Sequence, residues 1–272
     1  LKGWKGVLIM LKINSVSKLF NKNTPDEHKG LDNLNLNVTD GEFVTIIGGN
    51  GAGKSTLFNV VSGSMLCDSG NIQLDGKDIT YMPEHKRAAF IGRIFQDPMK
   101  GTAPNMTVGE NLIIAYMRST KKHIMKVPTK KDKSIIREKL SELGLGLEDR
   151  MNTKIGLLSG GQRQAITLIM ATLVKPKLLL LDEHTAALDP VSAKSVIDLT
   201  KSIVSDNKIT TLMITHNISS ALALGSSTVM MDSGSIAVDI TGDERNSMTV
   251  NDLVKKFNKV NNKEFDDDNV LL

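Results

Sequence analysis

The chain has 272 residues, 40% apolar and 24% charged, with a net charge of +4 and one cysteine. That length buries a full core for one large domain, or one domain with a subdomain. An isoelectric point near 9.0 permits an anionic partner without demanding one. The lone Cys67 excludes an internal disulfide framework and fits a reducing compartment, and no apolar run approaches the roughly 20 residues of a membrane-spanning helix.

The opening residues, LKGWKGVLIM, are too short and too weakly patterned for a secretory leader. Residues 1–9 read either as an upstream extension or as a frayed terminus, and a strand-like segment, LKINSV, follows Met10. Phe43–Ile47 (FVTII) is apolar and β-branched; a glycine loop and a helix from Lys54 come directly after it. Asn71–Leu74 runs into Asp75-Gly76, a hairpin signal.

From about Gly101 to Gly156 the pattern turns helical and more charged. Thr107 and Glu110 have the spacing of a capping box in front of NLIIAYM. The stretch from Arg118 to Ser134 holds Lys121, Lys122, Lys126, Lys130, Lys131 and Lys133. It is read as a solvated loop, with contact to lipid headgroups as the alternative. A second helix is expected over Ser134–Leu143, stopped by Gly144.

Further on, Leu178–Leu181 (LLLL) ends in Asp-Glu, and Thr210–Ile214 (TTLMI) ends at Thr-His. Val229–Met231 and Ile236–Val238 flank the turn signal Asp232-Ser233-Gly234. The tail from Lys263, with Asp266 to Asp268, is expected to be loosely held. Short buried strands alternating with helices predict a largely parallel sheet with crossover helices, with a helical subdomain inserted in the α/β core.

Gly48-Gly49-Asn50-Gly51-Ala52-Gly53-Lys54-Ser55-Thr56 fits G-x-x-x-x-G-K-[ST] with a strand before it and a helix after. Glycines let the backbone wrap a phosphate, Lys54 reaches the outer phosphates, and the Ser55 hydroxyl is placed for Mg²⁺. Asp182 and Glu183 close an apolar run, where carboxylates are costly unless they bind something. Asp182 suits Mg²⁺. Glu183 suits an attacking water, or is simply a helix-start residue. Gln96, in IFQDP, ends a strand-like run; its amide can coordinate a metal or orient a water, or it is an ordinary loop residue. His216, after TTLMIT, is placed either to contact a γ-phosphate or to serve structure. LSGGQRQ, Leu158 to Gln164, is a second serine–glycine helix start with the character of an anion site.

These pieces, in this order over residues 10–270, resemble the ATP-binding subunit of an ABC (ATP-binding cassette) transporter. The resemblance implies an α/β fold of the P-loop NTPase type: a RecA-like core, an antiparallel β subdomain and a helical subdomain at about 98–165, all one ABC ATPase domain spanning 10–272. It implies that Phe20 stacks on adenine and that Gln96 is the Q-loop glutamine. Ser159, Gly160, Gly161 and Gln162 become the signature. Asp182 and Glu183 become the Walker B aspartate and catalytic glutamate, Asp189 belongs to the D-loop, and His216 is the switch histidine. ATP and Mg²⁺ follow as substrate and cofactor.

A second copy is implied, docked head to tail so that the signature of one chain closes over ATP on the P-loop of the other. That explains why one chain carries two phosphate sites. A separate membrane permease, an extracytoplasmic solute-binding protein, a place on the cytoplasmic face of the membrane and no nucleic-acid partner are implied as well. An iron–sulfur assembly ATPase is the alternative. Met170 stands where the family pattern has a basic residue, and His184 stands where many members have proline. With GTAPNMTVGENL, these departures resemble bacterial importer cassettes, some linked to aromatic amino acids such as tryptophan.

Overall fold

The computed structural model describes residues 8–119, 129–142 and 144–261. Residues 1–7, the lysines at 121, 122 and 126, the expected helix end at Leu143 and the acidic tail from Lys263 lie outside the described residues.

The chain divides into two compact units. One comprises Leu1–Arg87 with Lys208–Leu272, the other Ala88–Asn207. In chain order the first unit begins with β1 (Ile9–Phe20), β2 (His28–Thr39), β3 (Phe43–Gly48), α1 (Lys54–Ser62), β4 (Ser69–Leu74), β5 (Lys77–Asp78) and α2 (Glu84–Arg87). The second unit holds β6 (Ile91–Ile94), α3 (Val108–Ser119), α4 (Lys130–Ser141), α5 (Gly160–Thr172), β7 (Leu178–Asp182) and α6 (Pro190–Asn207). The first unit resumes with β8 (Thr211–Ile214), α7 (Ile218–Leu224), β9 (Ser227–Asp232), β10 (Ser235–Ile240), α8 (Gly242–Ser247) and α9 (Val250–Asn261).

In the first unit β1 lies between β2 and β4, antiparallel to both, with Leu11 opposite Val38 on one side and Leu74 on the other. Alternation drives this: Leu34, Leu36 and Val38 are buried while Asn33, Asn35 and Asn37 face out. β3 is buried along its whole length and runs parallel to both β8 and β9. A run of β-branched and aromatic residues covered on both faces reads this way. β9 turns back into β10 through Ser233 and Gly234, both at positive φ (48° and 80°). Two such residues make the turn that matches strand twist, and glycine takes the second at no steric cost.

Two arginines in this unit are buried without a carboxylate in their hydrogen bonds. Arg87 donates to the carbonyls of Val60, Val61, Thr80 and Met82 at 2.7–3.0 Å, so it closes the C-terminal end of α1. Arg245 does the same for α7 through Ala221, Leu222 and Gly225. Burial pulls both guanidinium pKa values down.

In the second unit β6 and β7 pair in parallel, Ile91 with Leu178 through Ile94 with Leu181. The helices share an apolar core of Val108, Leu112, Ile136, Leu140, Leu147 and Ile166. The expected capping box is present: Glu110 Oε2 accepts from the Thr107 N–H at 2.7 Å, and Thr107 Oγ1 accepts from the Glu110 N–H at 3.2 Å. α4 starts earlier than its apolar pattern indicates. Thr129 and Asp132 form a capping box of their own, so Lys130, Lys131 and Lys133 lie on the helix rather than in a loop.

Candidate functional site

In the first unit the phosphate loop joins β3 to α1. Gly48 has no room for a side chain, because a Cβ would come 2.4 Å from the Met231 carbonyl oxygen. Gly53 sits at φ +98°, where a Cβ would meet the Gly30 carbonyl oxygen at 2.4 Å. Around Gly49 and Gly51 there is open space within 4 Å, so the loop has a packed floor and an open mouth. α1 begins on Gly53 with no side-chain cap. The N–H groups of a helix's first turn lack intrahelical acceptors, the arrangement by which helix starts take anions.

Lys54 is 6% exposed, and its Nζ donates to the carbonyls of Gly48 at 2.7 Å and Gly49 at 2.9 Å. The cation is thereby fixed inside the cradle. Ser55 is exposed on the first turn, Thr56 half-buried, and Ala52 buried beneath the loop beside the exposed Asn50 and Gly51. A brace comes from the β9–β10 turn: the Gly234 N–H donates to the Ala52 carbonyl at 3.0 Å, and the Gly234 carbonyl accepts from Asp32 at 3.0 Å.

Phe20, at the end of β1, lies over Gly30; a Cβ on Gly30 would meet the Phe20 ring at 2.4 Å and Thr56 Cγ2 at 3.1 Å. The aromatic expected to stack on a base is therefore beside the start of α1. It also stacks on His28, with ring centroids 5.2 Å apart and planes 16° from parallel. His28 gave no sequence signal, because its role depends on the β1–β2 register that pairs it with Phe20. His216 is exposed just past β8, two residues beyond Ile214, as Gly48 is two beyond Ile46, its partner on β3. The two sit at neighbouring strand ends, where a parallel sheet binds ligands.

The second unit carries the other expected residues. Gln96 is exposed two residues past β6; Asp97 caps the short 3-10 turn that follows, accepting from Met99 at 2.9 Å. Asp182 ends β7 half-buried, with Arg93 Nη2 at 3.7 Å from its Oδ2. Glu183 comes next at φ +44°, a left-handed conformation uncommon for a residue with a side chain and found at functional turns.

His184 faces inward. It is 3% exposed, and its Nε2 lies 3.1 Å from Thr200 Oγ1. That hydroxyl donates onward to the Val196 carbonyl at 2.7 Å, so Nε2 carries the proton and donates. Burial pushes the His184 pKa down to about 4, so it packs as a neutral ring and takes no part in the site. Asp189 Oδ1 accepts from the Ser192 N–H at 3.1 Å at the start of α6; this bonding holds its carboxyl below the usual carboxylate range.

The signature opens α5. Ser159 is its N-cap, and Gly160 and Gly161 pack so closely that Cβ atoms there would meet Leu188 Cδ2 at 3.2 Å and Ser192 Cβ at 2.8 Å. Gln162 turns back on the helix start, where its Oε1 accepts from Ser159 N–H at 3.3 Å and from Arg150 Nη1 at 3.2 Å. Arg163 donates to the carbonyls of Ile155, Gly156 and Leu158, which fixes the segment leading in. Neither Arg150 nor Arg163 was singled out by sequence reasoning, since a long side chain's target is set by folding.

Mg²⁺ takes hard oxygen donors. The Ser55 hydroxyl, the Gln96 amide oxygen and the Asp182 carboxylate are hard oxygen ligands. Among the described residues no group of three or more His, Cys, Asp or Glu could hold a metal ion by itself. No helix among the described residues is long and apolar enough to cross a membrane.

A family model described as ABC transporter matches residues 31–186. The chain is 43% identical over 248 residues to a tyrosine transport ATP-binding protein of Clostridioides difficile, covering 91% of this chain and 98% of that one. It is 34% identical over 230 residues to the spermidine/putrescine import ATP-binding protein PotA of Haemophilus influenzae, covering 85% of this chain and 57% of that longer protein. A solved dimeric ATP-binding cassette in a post-hydrolysis state, bound to ADP and Pi, superposes with a TM-score of 0.72 at 27% identity, covering 85% of this chain and 98% of that one.

Proposed function

Since the chain belongs to the ABC transporter family of ATP-binding proteins, we propose that it is the ATP-hydrolysing subunit of an importer, driving a permease that is a separate polypeptide. The observation that carries this reading is the phosphate cradle, where Lys54 is held against the Gly48 and Gly49 carbonyls below an uncapped helix start.

The adenine stacks on Phe20. The phosphates take the α1 N–H groups and the Lys54 ammonium. Ser55, Asp182 and Gln96 would hold Mg²⁺, which neutralises charge on the β- and γ-phosphate oxygens. The Glu183 carboxylate takes the proton of the attacking water, whose oxygen bonds to the γ-phosphorus as the bond to the ADP oxygen breaks. The His216 imidazole donates to a γ-phosphate oxygen.

The second copy completes each site. Ser159 and the N–H groups of Gly160 and Gly161 present the positive start of α5 to the γ-phosphate held by the other chain, with Gln162 and Asp189 on the same face. The dimeric cassette that superposes on this chain supports that arrangement. The solute is an aromatic amino acid, supported by the tyrosine transport relative. It would be delivered by an extracytoplasmic binding protein to a permease whose cytoplasmic face this chain occupies. The import systems named among its relatives do not favour a soluble iron–sulfur assembly ATPase.

The test is capture of the Glu183→Gln chain, with ATP, from gently solubilised native membranes, followed by mass spectrometry. A multi-spanning protein in stoichiometric yield is expected. Recovery of soluble partners only, with the chain absent from membranes, overturns the transport reading.

A further inference from the structure

Arg93 was no part of the motifs that led to the site, yet it forms an ion pair with the carboxylate expected to hold the metal. β6 and β7 pair so that Arg93 is opposite Leu180 and Ile94 opposite Leu181. A period of two along a strand, with Arg93 opposite Leu180, puts Arg93, Leu180 and Asp182 on one face. The guanidinium carbon lies 4.6 Å from the centroid of the Phe95 ring, over its face. Strand register and a cation–π contact therefore hold the charge in place, whatever Asp182 binds.

Arg93 Nη2 and Asp182 Oδ2, 3.7 Å apart, form an ion pair. The two side chains are only 12% and 16% exposed, and solvent screens such a pair poorly.

We propose that Arg93 is a built-in counter-charge that keeps Asp182 from taking a divalent cation by itself, so that the metal enters together with the nucleotide's phosphates. A carboxylate already neutralised by a neighbouring cation has less to offer a second one. Lone Mg²⁺ would meet the Asp182 carboxylate with a guanidinium beside it. Mg²⁺ already carried on phosphate brings its own negative charge. Arg93 is thus a positioning residue acting through Asp182, and the inference rests on the reading of Asp182 as a metal ligand.

The test is Mn²⁺ binding to the full chain, followed by electron paramagnetic resonance, first without nucleotide and then with ATP. Arg93→Met removes the charge and keeps packing on Phe95; Arg93→Gln does so with a polar side chain, should the first fold poorly. Both are expected to bind Mn²⁺ without nucleotide about tenfold more tightly than wild type. That is the effect of one pKa unit, the low end of what a nearby cation does to a carboxylate's proton affinity. Arg93→Lys should keep the weak wild-type binding, and adding Asp182→Asn should abolish the gain. Unchanged or weaker Mn²⁺ binding in the charge-removed chains overturns the role of Arg93 while leaving Asp182 as a ligand. Mn²⁺ binding with ATP that ignores Asp182→Asn in the wild-type background overturns the ligand reading and the inference together.

Discussion

Ser159 and Gln162 cap each other: the Ser159 Oγ accepts from the Gln162 N–H at 3.2 Å, and the Gln162 Oε1 accepts from the Ser159 N–H at 3.3 Å. The hydroxyl thus uses a lone pair to start its own helix and keeps its proton to donate outward. The glutamine Oε1 is engaged by the Ser159 N–H and by Arg150.

Glutamate fills the same capping role as glutamine and would pair with Arg150. Gln162→Glu should therefore leave the thermal midpoint unchanged. Its negative charge beside an incoming γ-phosphate should weaken ATP-dependent dimerisation by tenfold or more, about 1.4 kcal/mol. Sedimentation in the Glu183→Gln background measures the second effect, and a melting curve the first.

Arg87 places one guanidinium on four carbonyls in a fully buried site. Arg87→Met leaves those acceptors without a donor and should cost about 3 kcal/mol in urea unfolding. Arg87→Lys should recover less than half, because an ammonium cannot span the fork. A loss below about 0.5 kcal/mol in either chain would contradict the capping role.

His184 gives stability a pH dependence. Its pKa falls from 6.5 to about 4 on burial, so between those values the unfolded chain binds a proton that the folded chain does not. Its contribution is intact above pH 6.5 and declines as pH falls, until the folded ring itself protonates near pH 4. At pH 5 the decline is about 2 kcal/mol relative to pH 7. Unfolding curves at both pH values should show it in wild type and not in His184→Gln.

Phe20 is expected to contribute one stacking face. Base–aromatic stacking is worth about 1–3 kcal/mol, so Phe20→Leu should weaken ATP binding by roughly tenfold to a hundredfold. Stacking is tolerant of base identity, so GTP should lose as much as ATP in a fluorescent-nucleotide titration. A loss confined to one base would point to hydrogen-bond readout instead.

What the sequence made legible was what backbone chemistry dictates: a strand, a glycine loop and a helix start at 43–62, carboxylates at the end of LLLL, and Asp-Ser-Gly between two strands. Leu34 to Val38 alternates as LNLNV, a strand signal as plain as any, yet it was not read as β2. α4 was placed four residues late because a lysine-rich first turn hides helical periodicity, and Thr129 with Asp132 is the cue that locates it. Arg93, Arg150 and His28 could not be read at all. Their partners Asp182, Gln162 and Phe20 are brought to them by strand register and helix packing.

The brace from Gly234 to Ala52 has a consequence for how the protein comes off the ribosome. The phosphate-loop motif is translated well before β8 and β9, which flank β3, and before the turn that props the loop from below. Contacts this distant in sequence form late. A nascent chain that has emerged only through residue 207 carries the whole motif without the strands and turn that brace it, so the cradle is finished only after β8, β9 and that turn have followed.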